Sequence, residues 1–69
     1  MAITKFEITV RETIDEDWAE SLSCVGTRRG DNGSTVLTCA VLDSVALLGI
    51  LEKVRDLNLT LLTVTRIDT

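Results

Sequence analysis

The sequence predicts a small α+β domain in which two helices cover one face of a four-stranded antiparallel sheet, with strand order 4-1-3-2. Three patterns predict this. Residues 3–11 alternate between apolar and polar side chains, residues 43–57 repeat apolar side chains at helical spacing, and a glycine-rich turn divides residues 22–42 into two strands. With 69 residues the chain has room for one domain, residues 1–69, whose core is of marginal size.

The first strand is predicted over residues 3–11. Phe6, Ile8 and Val10 share one side, and the polar residues between them share the other. A period of two over this length is typical of a strand with one buried face. The residues expected on the opposite side are Lys5, Glu7, Thr9 and Arg11.

A short helix is predicted within residues 13–21. Thr13 and Glu16 have the spacing of a capping box, and the acids at 15–17 suit the positive end of a helix dipole. The expected apolar anchors, at a spacing of four, are Ile14, Trp18 and Leu22. The acidic run could instead be a cation site or a docking patch, but it lacks the spacing of a calcium loop.

A hairpin is predicted from strands at residues 22–27 and 34–42. Gly30, Asn32 and Gly33, between the strands, accept the positive φ angles that tight hairpin turns need. A turn centred between Asp31 and Asn32 places Leu22 opposite Val41 and Cys24 opposite Cys39. A bulge at either glycine would shift this register.

The cysteines, Cys24 and Cys39, lie opposite each other in this register. They lack the C-x-x-C spacing of a redox pair, and two cysteines are too few for a secreted disulfide scaffold. We expect two buried, reduced and slowly reacting thiols.

The charged N-terminus resembles no signal peptide, so we expect a cytoplasmic protein without membrane contact.

The clearest helix is predicted over residues 43–57. Asp43 is a good N-cap, and Asn58 stands where a left-handed residue ends a helix. Gly49 disfavours a helix interior, so we expect it to permit close approach to the sheet or to another chain. The predicted buried face consists of Leu47, Ile50, Leu51, Val54 and Leu57.

The last strand is predicted over residues 59–67, at an edge of the sheet. No charge or proline occurs from residue 59 to 65, although soluble domains usually protect such edges. Leu59 and Leu61 are expected on one face, and Leu62 and Val64 on the other. We expect the chain to pair with itself, as a dimer, by edge pairing or by the outer sheet face; the alternative is a monomer whose edge a terminus shields. The predicted interface residues are Leu59, Leu61, Leu62, Val64 and Arg66.

Together the elements run strand, helix, strand, strand, helix, strand. Right-handed crossovers bring both helices onto one face, which is the ferredoxin-like arrangement.

Residues 18–64 resemble a family of small bacterial proteins of uncharacterised function, common in cyanobacteria. The residues that carry the resemblance are Trp18, Thr35, Leu37, Val41, Asp43, Leu47, Gly49, Leu51, Asp56, Leu57, Leu59 and Leu61. Ser44 and Asn58 replace the glutamine and glycine usual in the family, and both suit a cap or a turn. The resemblance implies no catalytic residues.

Arg28 and Arg29, at the predicted hairpin tip, are candidates for binding an anion, because guanidinium groups match phosphate and carboxylate. The alternative is a charged, solvated loop. Trp18 could stack on a ligand, although a lone tryptophan more often covers the end of a core.

The composition argues against a catalytic function. Without histidine, the chain lacks the most common general base and metal ligand, and a net charge of −4 opposes nucleic-acid binding. We predict a non-enzymatic module that oligomerises or senses a ligand, with no catalytic residue, cofactor or metal, and with a small ligand or a protein as a further partner. The alternative is a small enzyme that uses carboxylates, with Arg28 and Arg29 as its anion site.

Overall fold

The computed structural model describes residues 3–22 and 24–67, and its helices and strands follow the predicted order. Ser23, which the predicted second strand includes, lies outside the described residues. No helix among the described residues is long and apolar enough to cross a membrane. The elements are β1 (Thr4–Val10), α1 (Glu16–Ser21), β2 (Gly26–Arg29), a 3₁₀ turn (Asp31–Gly33), β3 (Thr35–Val41), α2 (Ser44–Asp56) and β4 (Leu61–Ile67).

The four strands form one antiparallel sheet in the order β2-β3-β1-β4. Read from the other edge this is 4-1-3-2, so the predicted α+β fold class is confirmed, and the order is consistent with a ferredoxin-like fold. β1 and β3 lie in the centre, and β2 and β4 form the two edges.

One face of the sheet, which we call the core face, carries the hydrophobic core. Ile8 lies opposite Leu37, and Phe6 lies opposite Cys39. The predicted alternation of the first strand is confirmed, because Ile8 and Val10 are fully buried and Phe6 is partly buried. Both helices pack on this face. They contribute Ala19, Ile50 and Val54 to the core, with Leu22 just after α1.

The first helix starts differently from the prediction. The N-cap is Asp15, whose carboxylate accepts the N–H of Trp18 at 3.2 Å. The predicted capping box is wrong because the Thr13 hydroxyl donates instead to the carbonyl of Gly33, in the hairpin loop. As a result Ala19 is the buried residue of α1, and Trp18 is 39% exposed.

The second helix ends as predicted. Asp43 caps α2 by accepting the N–H of Ala46 at 2.8 Å, and Asn58 adopts a left-handed φ of 64°. The expected approach of Gly49 to the sheet is wrong, since a Cβ built there would meet no atom within 4 Å. The buried face of α2 is narrower than predicted, because Leu57 is exposed.

The hairpin register differs from the predicted one by one residue. The N–H of Gly30 donates to the carbonyl of Ser34 at 3.0 Å and closes a three-residue loop. Asn32, at the centre of this loop, has a φ of 56°, and Gly33 follows at 81°. Because the loop has an odd number of residues, its centre falls on Asn32 rather than before it, and Thr27 lies opposite Leu37.

The cysteines form a disulfide, so the expectation of two reduced thiols is wrong. Their Cα atoms are 4.3 Å apart, and both side chains are buried. Cys39 lies in β3, on the core face, whereas Cys24 lies between α1 and β2. The disulfide therefore links the segment that follows α1 to the central strand β3.

The last strand is an edge strand, as predicted, but its faces differ from the predicted ones. The β1–β4 register shifts between Thr9 and Val10, so that Leu61 lies opposite Val10 and Val64 opposite Ile8. Leu61 and Val64 therefore both pair with core-face residues, whereas simple alternation predicts opposite faces. A bulge adds one residue to a strand, and this is the cause of the change.

The chain between β1 and α1 joins the sheet to β4 through hydrogen bonds. The Arg11 N–H donates to the Thr60 carbonyl at 2.9 Å, and the Glu12 carboxylate accepts the Thr60 N–H at 2.7 Å and its hydroxyl at 2.9 Å. The buried Thr35 hydroxyl donates to the Glu12 carbonyl and accepts the Ile14 N–H. These bonds fix where β4 begins.

This arrangement predicts a pH effect at Glu12. Its pKa lies below the usual 4.5, chiefly because its carboxylate accepts the Thr60 N–H. A carboxyl whose pKa is lowered by folding stabilises the fold above its unfolded pKa, and this contribution is lost as the pH falls through the folded pKa. We expect Glu12→Gln to lower the melting temperature at neutral pH and to change it less and less below pH 4.5.

Thermal unfolding of both proteins across this pH range measures the effect. Glu52→Gln, on the exposed surface of α2, is the matched control. A melting-temperature difference for Glu12→Gln that is as large in acid as at neutral pH would contradict the assignment.

Candidate functional site

Neither helix covers the outer face of the sheet, which is the face opposite the core face. It carries polar side chains around one buried valine. Thr9 in β1, Val36 in β3 and Arg28 in β2 lie side by side across three strands. Val36 is buried but does not belong to the core cluster, because it faces away from the helices. This face therefore has an apolar floor with polar groups around it.

A cleft of about 590 Å³ lies on this face, at the end nearest the hairpin loop. We call it the outer-face cleft. All four strands or the residues adjoining them contribute to its lining, which consists of Thr9, Arg11, Arg28, Arg29, Gly30, Asp31, Asn32, Ser34, Val36, Leu62 and Thr63.

Positive charge dominates the outer-face cleft. Arg28 forms an ion pair with Glu7 at 2.9 Å, and the two side chains are 61% and 30% exposed. Arg11 and Arg29 form no ion pair with any residue that the structure describes. Arg28 and Arg29 are consecutive residues of β2, so their side chains lie on opposite faces of the sheet, and Arg29 lies opposite Thr35, which pairs with the core-face residue Val10. On the outer face, the Arg11 guanidinium therefore remains available, and Arg28 is held only by a solvent-screened pair.

The predicted ligand residues lie at two places. Arg28 and Arg29 both line the outer-face cleft. Arg29 also lines a second cleft, of about 400 Å³, together with Trp18 and Glu12. Trp18 further borders a groove between the helices, beside Leu57. Arg28 and Trp18 line no common cleft.

The predicted interface residues lie along or just before β4. Leu61, Leu62 and Val64 are 44%, 47% and 39% exposed. Leu59 is different, because it is partly buried against the core. Arg66 lies opposite Phe6 in the register of the sheet.

Arg11 is the basic residue of the cleft that the sequence analysis did not propose as a ligand residue. Its position was predictable, since it continues the alternating series of Lys5, Glu7 and Thr9 on the outer side of the first strand. The predicted strand order could also have placed it near the hairpin. The participation of Leu62 depends on the bulge, which no residue pattern indicates.

Within residues 3–22 and 24–67, no group of three or more histidine, cysteine, aspartate or glutamate side chains is placed to hold a metal ion. Every buried side-chain nitrogen or oxygen in this part of the chain has a hydrogen-bond partner.

Comparison with known proteins identifies a family. A search of curated proteins found no match, and a search of solved structures found none either. The model of one family, described as a domain of unknown function (DUF8691), matches residues 5–65. This is consistent with the expected membership of a family of uncharacterised function. Because the matched range includes most of the 69 residues, the chain belongs to the DUF8691 family.

Proposed function

We propose that the protein is a small non-enzymatic interaction module that associates with itself through the free edge of β4. The observation that carries this proposal is the contrast between the two sheet edges. β2 has four residues, two of them arginines, whereas β4 has seven residues and no charge before Arg66. Short length, charge and bulges are the usual protections of an edge, and β4 is long and has a single charge near its end, although a bulge lies near its start.

The apolar exposure of β4 supports the same proposal. Leu61, Leu62 and Val64 are all at least 39% exposed, although they follow one another closely in one strand. A domain of this size has a small core, so burial of further apolar surface between two chains would stabilise the fold.

A symmetric pair of β4 strands has favourable cross-strand partners. Val64 is the middle residue of Leu61–Ile67, and an antiparallel pair centred on it places Thr63 opposite Thr65 and Val64 opposite Val64 of the second copy. No like charges face each other in this register, and a threonine pair is a favourable cross-strand contact. A two-fold axis at Val64 makes the interface self-complementary and closed.

The absence of a catalytic role is part of the proposal. The chain has no histidine, and its two cysteines are joined to each other, so that neither supplies a free thiolate. A nucleophile activated by a neighbouring base would have to come from hydroxyl and carboxylate groups alone.

The charge at residue 64 tests the proposed pairing. Val64→Lys places two lysines opposite each other across the two-fold axis, and we expect the dimer dissociation constant to rise by about tenfold, since a like-charge pair replaces an apolar contact. Val64→Thr keeps an uncharged β-branched side chain at this position and should keep the dimer. Light scattering coupled to gel filtration at micromolar concentration measures the mass, which is twice 7.6 kDa for a dimer.

Leu48→Lys, on the exposed surface of α2, is the control and should leave the mass unchanged. A wild-type chain that elutes with the mass of one copy rejects the proposal. Equal dissociation by the lysine and threonine variants at residue 64 would reject this register.

A further inference from the structure

The geometry points to a second activity, beyond self-association: the outer-face cleft binds a small, hydroxyl-rich molecule that carries a phosphate group. Self-association concerns the edge of β4, whereas this site lies on the face of the sheet. The inference follows from the charge of the cleft, from the state of its arginines and from the chemistry of its remaining lining.

The charge of the cleft is opposite to that of the chain. Three of the seven basic residues, Arg11, Arg28 and Arg29, line it, but only one of the eleven acidic residues, Asp31, does so. In a chain with a net charge of −4, such a concentration of positive charge favours an anionic ligand.

The arginines are available to a ligand. Within the described residues, Arg11 and Arg29 have no ion-pair partner, and the Arg28–Glu7 pair is exposed enough for an anion to compete with it. A guanidinium group offers two parallel N–H donors to a phosphate, which a lysine does not. Arg11 follows β1 and Arg28 lies in β2, so their side chains approach the cleft from two sides, whereas the side chain of Arg29 lies on the core-face side of β2.

The other lining groups indicate what the phosphate is attached to. Thr9, Ser34 and Thr63 supply hydroxyl groups, and Asn32 supplies an amide. The cleft has a volume of about 590 Å³, within the range of small-molecule sites and larger than a phosphate ion requires. None of the described lining residues is aromatic, so the cleft offers no platform on which a nucleobase would stack. A sugar phosphate fits this chemistry better than a nucleotide.

Calorimetric titration with glucose 6-phosphate tests the inference, with glucose, inorganic phosphate and adenosine monophosphate as comparisons. We expect glucose 6-phosphate to bind, inorganic phosphate and adenosine monophosphate to bind more weakly, and glucose to give no signal. Arg11→Gln and Arg28→Gln should each weaken binding by about tenfold, the low end for hydrogen bonds to a charged group. Arg28→Lys, which keeps the charge but loses the paired donors, should fall between wild type and Arg28→Gln.

Arg55→Gln is the matched control, because it removes the same charge from the last turn of α2, outside the cleft. Equal weakening by Arg55→Gln, or no binding up to about 10 mM glucose 6-phosphate, would overturn the inference. Inorganic phosphate that binds as tightly as the sugar phosphate, or adenosine monophosphate that binds more tightly, would overturn the assignment to a hydroxyl-rich ligand.

Discussion

Replacing both cysteines, Cys24→Ala with Cys39→Ala, is expected to lower the free energy of unfolding by about 3 kcal/mol. The disulfide closes a loop with a sequence separation of 15. A cross-link of this length removes conformational entropy from the unfolded chain, and the unfolded state becomes less favourable. For a domain whose total stability is about 5 kcal/mol, this is most of the margin.

Urea unfolding in oxidising and reducing buffer measures the contribution of the disulfide. In oxidising buffer, wild type should unfold at a higher urea concentration than the double variant, and this difference should disappear once the disulfide is reduced. The double variant should unfold at the same urea concentration in both buffers. Equal stability of wild type and the double variant without reductant would contradict the role assigned to the Cys24–Cys39 bond.

The disulfide also bears on the compartment. Structural disulfides persist mainly in oxidising environments, whereas the N-terminal sequence led us to expect the cytoplasm. The cytoplasmic location stays a prediction. Alkylation of thiols at the moment of cell lysis, followed by mass measurement, determines the state of Cys24 and Cys39 in the cell.

The second large effect is expected at the centre of the sheet. Leu37→Ala should cost about 2–5 kcal/mol, because Leu37 is fully buried and faces Ile8, which is also fully buried. The loss combines the transfer free energy of the removed atoms with a cavity between the sheet and the helices. At the upper end of this range the whole margin of about 5 kcal/mol is lost, and about half of the variant should then be unfolded at room temperature.

Leu48→Ala makes the same chemical change where the side chain is 57% exposed, and it should alter stability by less than about 0.5 kcal/mol. Urea unfolding of the two variants side by side gives the comparison. Similar midpoints for both would mean that the core does not lie where the structure places it.

Local sequence patterns predicted the helices and strands, because these elements depend mainly on residues that are close in the sequence. Alternation located β1, and the N-cap Asp43 and left-handed Asn58 located the ends of α2. The capping box failed for the opposite reason. The Thr13 hydroxyl finds its partner in Gly33, twenty residues away, and no spacing within the helix reveals that competition.

Register was harder to predict than secondary structure. The hairpin loop is one residue longer than a two-residue turn, and this moved the pairing of β2 with β3 by one position. The bulge opposite Thr9 and Val10 changed the face of Leu61 in the same way. A change of one residue reverses which side chains share a face, so small local events determine how the candidate interface and the cleft are composed.

The cysteine pairing shows where composition misleads. The predicted hairpin already placed Cys24 opposite Cys39, yet the low cysteine count and the lack of a C-x-x-C spacing suggested reduced thiols. Proximity was thus predictable from the hairpin, whereas formation of the bond was not.

Arg11 connects the two proposed binding events. Its side chain lines the outer-face cleft, and its backbone N–H holds Thr60 just before β4, while Leu62 and Thr63 of β4 line the same cleft. Any thermodynamic coupling between them must be reciprocal: a molecule that tightens the association of two chains by some factor is itself bound tighter by that factor in the dimer. A sugar phosphate that binds the cleft more tightly in the dimer would therefore lower the dimer dissociation constant.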